Sequence, residues 1–196
     1  MNNALSDIGV AIIQPFFTLA LVLIATRFLA QLCGVSSYNP ISMALRRITD
    51  PVVLPLGRLL PGGKRVNPGS LLALVLCQML FIALMFSLIG RLDAFSFIQA
   101  AIWSLIGGAS LIINIVFYSV IATIVLSFLA PQSAHPAVEF VWQLTEPVMA
   151  PLRQLLPSMG GLDFSPIILF IALNVVRVSL GHMAAAASLP QFVIGI

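Results

Sequence analysis

Two arginines stand where a charge is costly. Arg177 falls near the middle of the apolar run Ile167–Ala187, and Asn174, three residues earlier, shares its helical face. Arg27 lies toward the end of the run Ile8–Leu29, while Gln78 and Asn114 fall within Leu71–Ile89 and Leu111–Ala130. A charge at the centre of a spanning helix costs about 2.5–3.5 kcal/mol on insertion scales, so each arginine needs compensation. Arg27 is close enough to the end of its run to snorkel toward the basic segment that follows. None of the four runs contains an acid, which leaves Arg177 helix carbonyls, Asn114, Gln78 or a wet cavity. Two chemistries fit such a set. One is hydrogen bonding between helices, worth roughly 0.6 kcal/mol for an average bond. The other is a polar pathway near the midplane, but the lack of an in-span carboxylate argues against a proton or cation relay.

Little else in the chain is reactive. The two histidines, His135 and His182, have no metal-ligand neighbour at useful spacing, and Cys33 and Cys77 form no C-x-x-C. Both thiols read as small buried hydrophobes. No G-x-S-x-G, Walker A or H-E-x-x-H sequence occurs, and only six acids are present in all. The sequence therefore nominates no catalytic residue, no metal ligand and no cofactor, and the expectation is a non-enzymatic protein.

The elements that hold these residues are set by composition. Hydrophobic residues make up 60% of the chain and charged residues 8%, with a mean hydropathy of +1.12. Globular domains carry roughly 25% charged residues, so too few are present here to cover a soluble surface. The lipid bilayer is the implied environment. The four apolar runs are each long enough to span it, given the need for about 20 residues. Phe95–Ile106 is too short to cross alone and reads either as an extension of the third span or as an interfacial or re-entrant segment. The N-terminus "MNNALSDIGV" lacks a basic n-region, so the first run reads as a span and not as a cleaved signal. Arg46, Arg47, Arg58, Lys64 and Arg65 cluster between Asn39 and Pro68. Positive-inside anchoring accounts for that cluster, and no nucleic-acid partner is expected.

The chain is also a duplication. Residues 49–61, "TDPVVLPLGRLLP", return as "TEPVMAPLRQLLP" at 145–157, eight of the thirteen positions being identical at a gapless offset of 96. The shared positions pair Thr49 with Thr145, Pro51 with Pro147, Pro55 with Pro151 and Leu56 with Leu152. Leu60 pairs likewise with Leu156 and Pro61 with Pro157, while Asp50 becomes Glu146. Gln78 and Asn174 are equivalent in the same register, which fits a polar contact between them. Each unit reads as helix–loop–helix, with residues 1–92 forming the first and 93–196 the second, where 93–110 connects. Within the first loop Asn39 is a natural N-cap with Pro40 at the first helical position. Ile41, Ala44, Leu45 and Ile48 then form an apolar stripe, with Ser42, Arg46 and Thr49 pointing away. Pro51 is expected to interrupt this helix and Pro55 to restart it. The result is a kinked interfacial helical hairpin between two transmembrane helices, in an all-α membrane protein of four spans.

The phrase T-[DE]-P-V-x-x-P-L-x-x-L-L-P, followed by "SMGGLDFSPIILFIAL" at 158–173, resembles the YggT (YlmG-like) family in its two-repeat proteobacterial form. Arg27, ahead of "YNP" at 38–40, also sits where that family places an arginine. The first repeat departs after Pro61, so the Gly-Gly-x-Asp-x-Ser-Pro element with Asp163 survives only in the second. The resemblance implies a multi-pass bacterial inner-membrane protein without an assigned reaction. It also implies a role in assembly or maturation of membrane complexes, in division, or in osmotic tolerance. Partners would be other membrane proteins or a second copy. An ion or osmolyte pathway is the alternative. With four spans the two units lie parallel and both loops share a side; inverted units would require Phe95–Ile106 to cross.

Overall fold

The computed structural model describes residues 2–59, 68–129, 133–155 and 165–195. Four of its helices are long and apolar enough to cross a membrane, so this is a multi-pass membrane protein. They are α1 (Asn2–Leu32), α3 (Pro68–Leu88), α4 (Phe97–Leu129) and α6 (Ser165–Ala186). Phe95–Ile106 proves to lead into α4 and does not form a segment of its own, and Gly107 and Gly108 do not break the helix. At 1.5 Å per residue α4 is about 50 Å long, well beyond the roughly 30 Å of hydrocarbon it must cross. Three hydroxyls inside the spans are satisfied locally: Thr18, Thr26 and Ser179 each donate to the carbonyl four residues back.

Between the spans lie two short helices, α2 (Pro40–Gly57) and α5 (Pro136–Leu155). Asn39 caps α2 by accepting from the Ile41 amide at 2.9 Å, and His135 Nδ1 accepts from Ala137 in α5 at 3.2 Å. The interruption expected at Pro51 does not occur. Both α2 and α5 run on as single helices through their paired prolines. Prolines four residues apart lie on one helical face, and here that face is exposed in both helices. Each proline removes one ladder bond, and the packing of the opposite face keeps the rest together.

That packed face differs from the expected stripe. Ser42, Leu45, Thr49 and Val53 are buried, while Ala44 and Ile48 face outward. The rotation follows from what α2 packs against, because Arg27 on α1 needs oxygens, and Thr49 and Asp50 supply them.

The core is organised around α4, which packs on α1, α3, α5 and α6. Gly34, at φ +71°, closes α1 in the left-handed conformation, and the Val35 amide bonds back to Ala30 at 2.8 Å. The chain after this turn meets the second repeat. The Ser36 amide donates to Gln143 Oε1 at 2.8 Å, and Asn39 Nδ2 donates to the Pro136 carbonyl at 2.9 Å. α1 and α4 therefore end at the same end of the bundle, α2 and α5 touch there, and the two units run parallel.

Candidate functional site

The repeated Thr-acid-Pro motif faces a span residue in each unit, and the two units fill that place differently. In the first, Arg27 reaches from α1 to α2 and is buried, with 4% of its surface exposed. Its Nη1 lies 2.7 Å from Asp50 Oδ1 and donates to Thr49 Oγ1 at 2.8 Å. The Thr49 hydroxyl donates its own hydrogen bond to the Leu45 carbonyl at 2.6 Å, so its oxygen is oriented to accept. Snorkelling to open water is thus replaced by a buried ion pair whose carboxylate keeps one side at the surface. Arg27 Nε and Ser42 Oγ, both buried and without a protein partner, adjoin a void of about 10 Å³, room for a single water.

In the second unit the position equivalent to Arg27 is Thr123. Its hydroxyl lies 3.1 Å from that of Thr145, the counterpart of Thr49. The carboxylate of Glu146 finds its cation on its own helix instead, where Arg153 Nη1 approaches Oε2 at 2.9 Å. That pair is exposed on both sides, in contrast to Arg27–Asp50. The span side of the motif consequently opens into a cavity of about 350 Å³ bounded by Thr123, Thr145, Glu146, Met149 and Arg153.

The remaining in-span polar groups serve the C-terminal segment. After α6 the chain turns at Ser188, φ 50°, and residues 189–195 return into the bundle against α3 and α4. Gln78 Nε2 donates to the Ile194 carbonyl and Asn114 Nδ2 to that of Gly195, each at 2.8 Å. Trp103 Nε1 donates to Ala187 at 2.9 Å, and Phe192 lies edge-on to Phe81 and Phe86. The contact expected between Gln78 and Asn174 is not made, since Asn174 donates to Phe170 on its own helix at 3.1 Å. Arg177 takes none of the hydrogen-bonding partners the sequence offered. Its guanidinium stacks 4.3 Å from the centroid of Phe117 and borders a cavity of about 340 Å³ shared with Asn174, Ser110 and Gly195.

Sequence reasoning missed Thr123, Arg153 and the returning segment. The first was accessible: carrying the 96-residue register back into the spans aligns Arg27 with Thr123. Of the motif, Leu56 and Leu152 are half-buried and pack against the core, whereas Pro51, Pro55, Pro147 and Pro151 face outward. Leu60, Pro61, Leu156, Pro157 and Asp163 lie outside the described residues. Cys33, just beyond α1, is half-buried, and burial pushes its thiol above the ordinary range, which makes it a poor nucleophile.

The family model for CCB3/YggT matches residues 6–88 and again 102–184, the same 96-residue register as the motif. The chain belongs to the CCB3/YggT family. Among relatives, an uncharacterized protein of Pseudomonas aeruginosa is 35% identical over 188 residues, 95% of either chain. An uncharacterized protein in the proC 3′ region of Vibrio alginolyticus is 32% identical over 88% of this chain and 92% of its own. The uncharacterized protein YggT of Escherichia coli strain K12 is 28% identical over 76% of each. No solved structure matches. Both copies of the family unit include the span residue and the Thr-acid-Pro motif, so the Arg27/Thr123 difference is a divergence between two copies of one YggT site.

Proposed function

We propose that this YggT-family chain is a non-enzymatic scaffold or assembly factor of the bacterial inner membrane, acting through its α2–α5 face on other membrane proteins. One observation supports this reading above others: of the five in-span polar side chains that the sequence singles out, all but Arg177 are engaged in bonds within the protein. Gln78 and Asn114 bind the returning segment, Asn174 binds its own helix, and Arg27 is paired to α2. What remains chemically varied is the end of the bundle where α2 and α5 meet. Protein reconstituted alone into liposomes should pass neither ions nor small osmolytes. A conductance or solute flux that scales with protein would overturn the scaffold reading.

The cavity beside Arg177 favours a second reading, a polar pathway, and one variant separates the two. Arg177→Leu removes a charge that the membrane disfavours together with a ring contact worth about 0.5–2 kcal/mol. These terms oppose each other, so melting in detergent should shift by the equivalent of about 1 kcal/mol or less. Growth under osmotic stress should stay near normal. A stably folded variant that has lost function would promote the pathway.

The α2–α5 end is assigned to the cytoplasm. Arg46, Arg47, Arg58 and Arg153 belong to that end, and the sequence adds Lys64 and Arg65 to the same inter-span segment, against Arg91 alone in the connection between the repeats. Tyr38 and Ala134 are exposed at that end in the first and second repeat. Tyr38→Cys and Ala134→Cys should both resist an impermeant thiol reagent added to intact cells, and both should react once the membrane is opened. Labelling of either from outside would contradict the assignment.

A further inference from the structure

The two repeats provide an internal comparison of one site. In the first, the span residue Arg27 fills the space between α1 and α2 and delivers a guanidinium to a buried threonine hydroxyl and a carboxylate. In the second, the threonine and the carboxylate are retained as Thr145 and Glu146, but the arginine has become Thr123. Beside Thr123, Thr145 and Glu146 the second repeat leaves a cavity of about 350 Å³, whereas in the first repeat the Arg27 guanidinium lies against Thr49 and Asp50. The floor of that cavity is built: Thr145 is 1% exposed and Thr123 8%, and Met149 is buried behind them. Its rim is accessible, with the Glu146 and Arg153 side chains about half exposed.

We propose that the cavity between α4 and α5 is a binding site for a guanidinium group supplied from outside the chain. The bound group takes the place of Arg27 in the equivalent repeat, donating to Thr145 Oγ1 and to the Glu146 carboxylate. The chemistry of the acceptors is the reason. The Thr145 hydroxyl donates to the carbonyls of its own helix, Val141 at 3.1 Å and Trp142 at 3.2 Å, as Thr49 does to Leu45, which leaves its oxygen to accept from an incoming donor. An ammonium ion carries charge but not the planar fork that spans a hydroxyl and a carboxylate together. Arg153 is the resident competitor. It holds Glu146 from the exposed side, and an exposed pair of this kind is weak enough to be displaced. The guanidinium can come from a small solute or from an arginine side chain of another polypeptide. The inference does not depend on the assembly-factor reading, because it concerns the chemistry of one site.

The test uses the full chain in detergent, with three probes titrated by calorimetry or by ligand-observed resonance. These are methylguanidinium, Nα-acetyl-arginine amide, and a short peptide with one arginine between leucines. Each has an uncharged control: methylurea for the first, and the citrulline form for the other two. Saturable binding that the controls lack is the expected result. Glu146→Gln should weaken it about tenfold or more, since a charge-assisted bond is lost. Thr123→Arg, which rebuilds the first-repeat arrangement within the chain, should abolish binding while raising the melting temperature. Arg153→Ala should tighten binding several-fold by removing the competitor. Should Thr123→Arg fail to fold, the opposite effects of Glu146→Gln and Arg153→Ala still decide the matter. A peptide that binds far more tightly than methylguanidinium identifies a protein-borne arginine, and equal affinities identify a solute. No saturable binding by any probe, or binding indifferent to Glu146→Gln and Arg153→Ala, overturns the proposal.

Discussion

Asp50→Ala should destabilise the protein by about 3 kcal/mol, the lower end of the range for breaking a buried ion pair. The effect arises on the arginine side. Arg27 is nearly enclosed, with 5% of its side chain exposed, whereas 37% of the Asp50 side chain reaches the surface. Removing the carboxylate strands a guanidinium that has only Thr49 and the distant Arg46 carbonyl, at 3.5 Å, to receive its protons. Arg27→Leu should cost less, about 1–2 kcal/mol, because the abandoned carboxylate can hydrate from its open side. Losing both together should cost less than losing Asp50 alone, since the double variant holds no stranded charge. Glu146→Ala, at the same motif position, should cost under about 1 kcal/mol, since its pair is exposed. Unfolding by sodium dodecyl sulfate in mixed micelles measures all four variants on one scale. Equal effects for Asp50→Ala and Glu146→Ala would show that the two repeats treat their carboxylates alike, contrary to the geometry.

The parts of this architecture legible in the sequence are those set by long-range averages. Spans follow from runs of apolar residues, and the duplication follows from identity at one fixed offset. The course of α2 was less accessible. Proline's local cost argued for a break at Pro51, yet a helix with one face packed and its prolines on the other keeps most of its bonds, and that face is known only from tertiary contacts. The stripe through Ile48 failed for a related reason. In a membrane protein apolar residues face lipid as readily as core, so hydrophobic periodicity gives the period of a helix and leaves its rotation open. Here the polar residues carried the rotational information, because Ser42 and Thr49 turn toward Arg27. Gln78 and Asn114 marked true interior positions. Their partners are carbonyls of residues 194 and 195, and a backbone carbonyl has no sequence signature.

That returning segment gives the second large effect. Gly107→Val should expel residues 192–195 from between α3 and α4. A Cβ at position 107 would meet the Gln78 amide nitrogen too closely to coexist with it. It would also lie 2.9 Å from both the Ile194 carbonyl oxygen and Val193 Cγ1. Gln78 is fully enclosed and held by its bond to Ile194, so it has no room to retreat. Overpacking of this kind costs typically 1–3 kcal/mol, and losing the bonds from Gln78 and Asn114 adds to it. A total of about 3 kcal/mol is expected. Gly108→Ala is the control on the next residue, where a Cβ meets only Leu74 side-chain carbons at 3.4 Å or more. It should be nearly neutral or slightly stabilising, because alanine favours the helix. With Cys33 and Cys77 replaced by alanine, Val193→Cys reports the position of the segment directly. Val193 is buried, so the thiol should resist a bulky maleimide in the parent and in Gly108→Ala, yet react rapidly when combined with Gly107→Val. Continued protection in the Gly107→Val background would mean that α4 yields instead of the segment. The tight seat of residues 193–195 against Gly107 would then not be what holds them in the bundle.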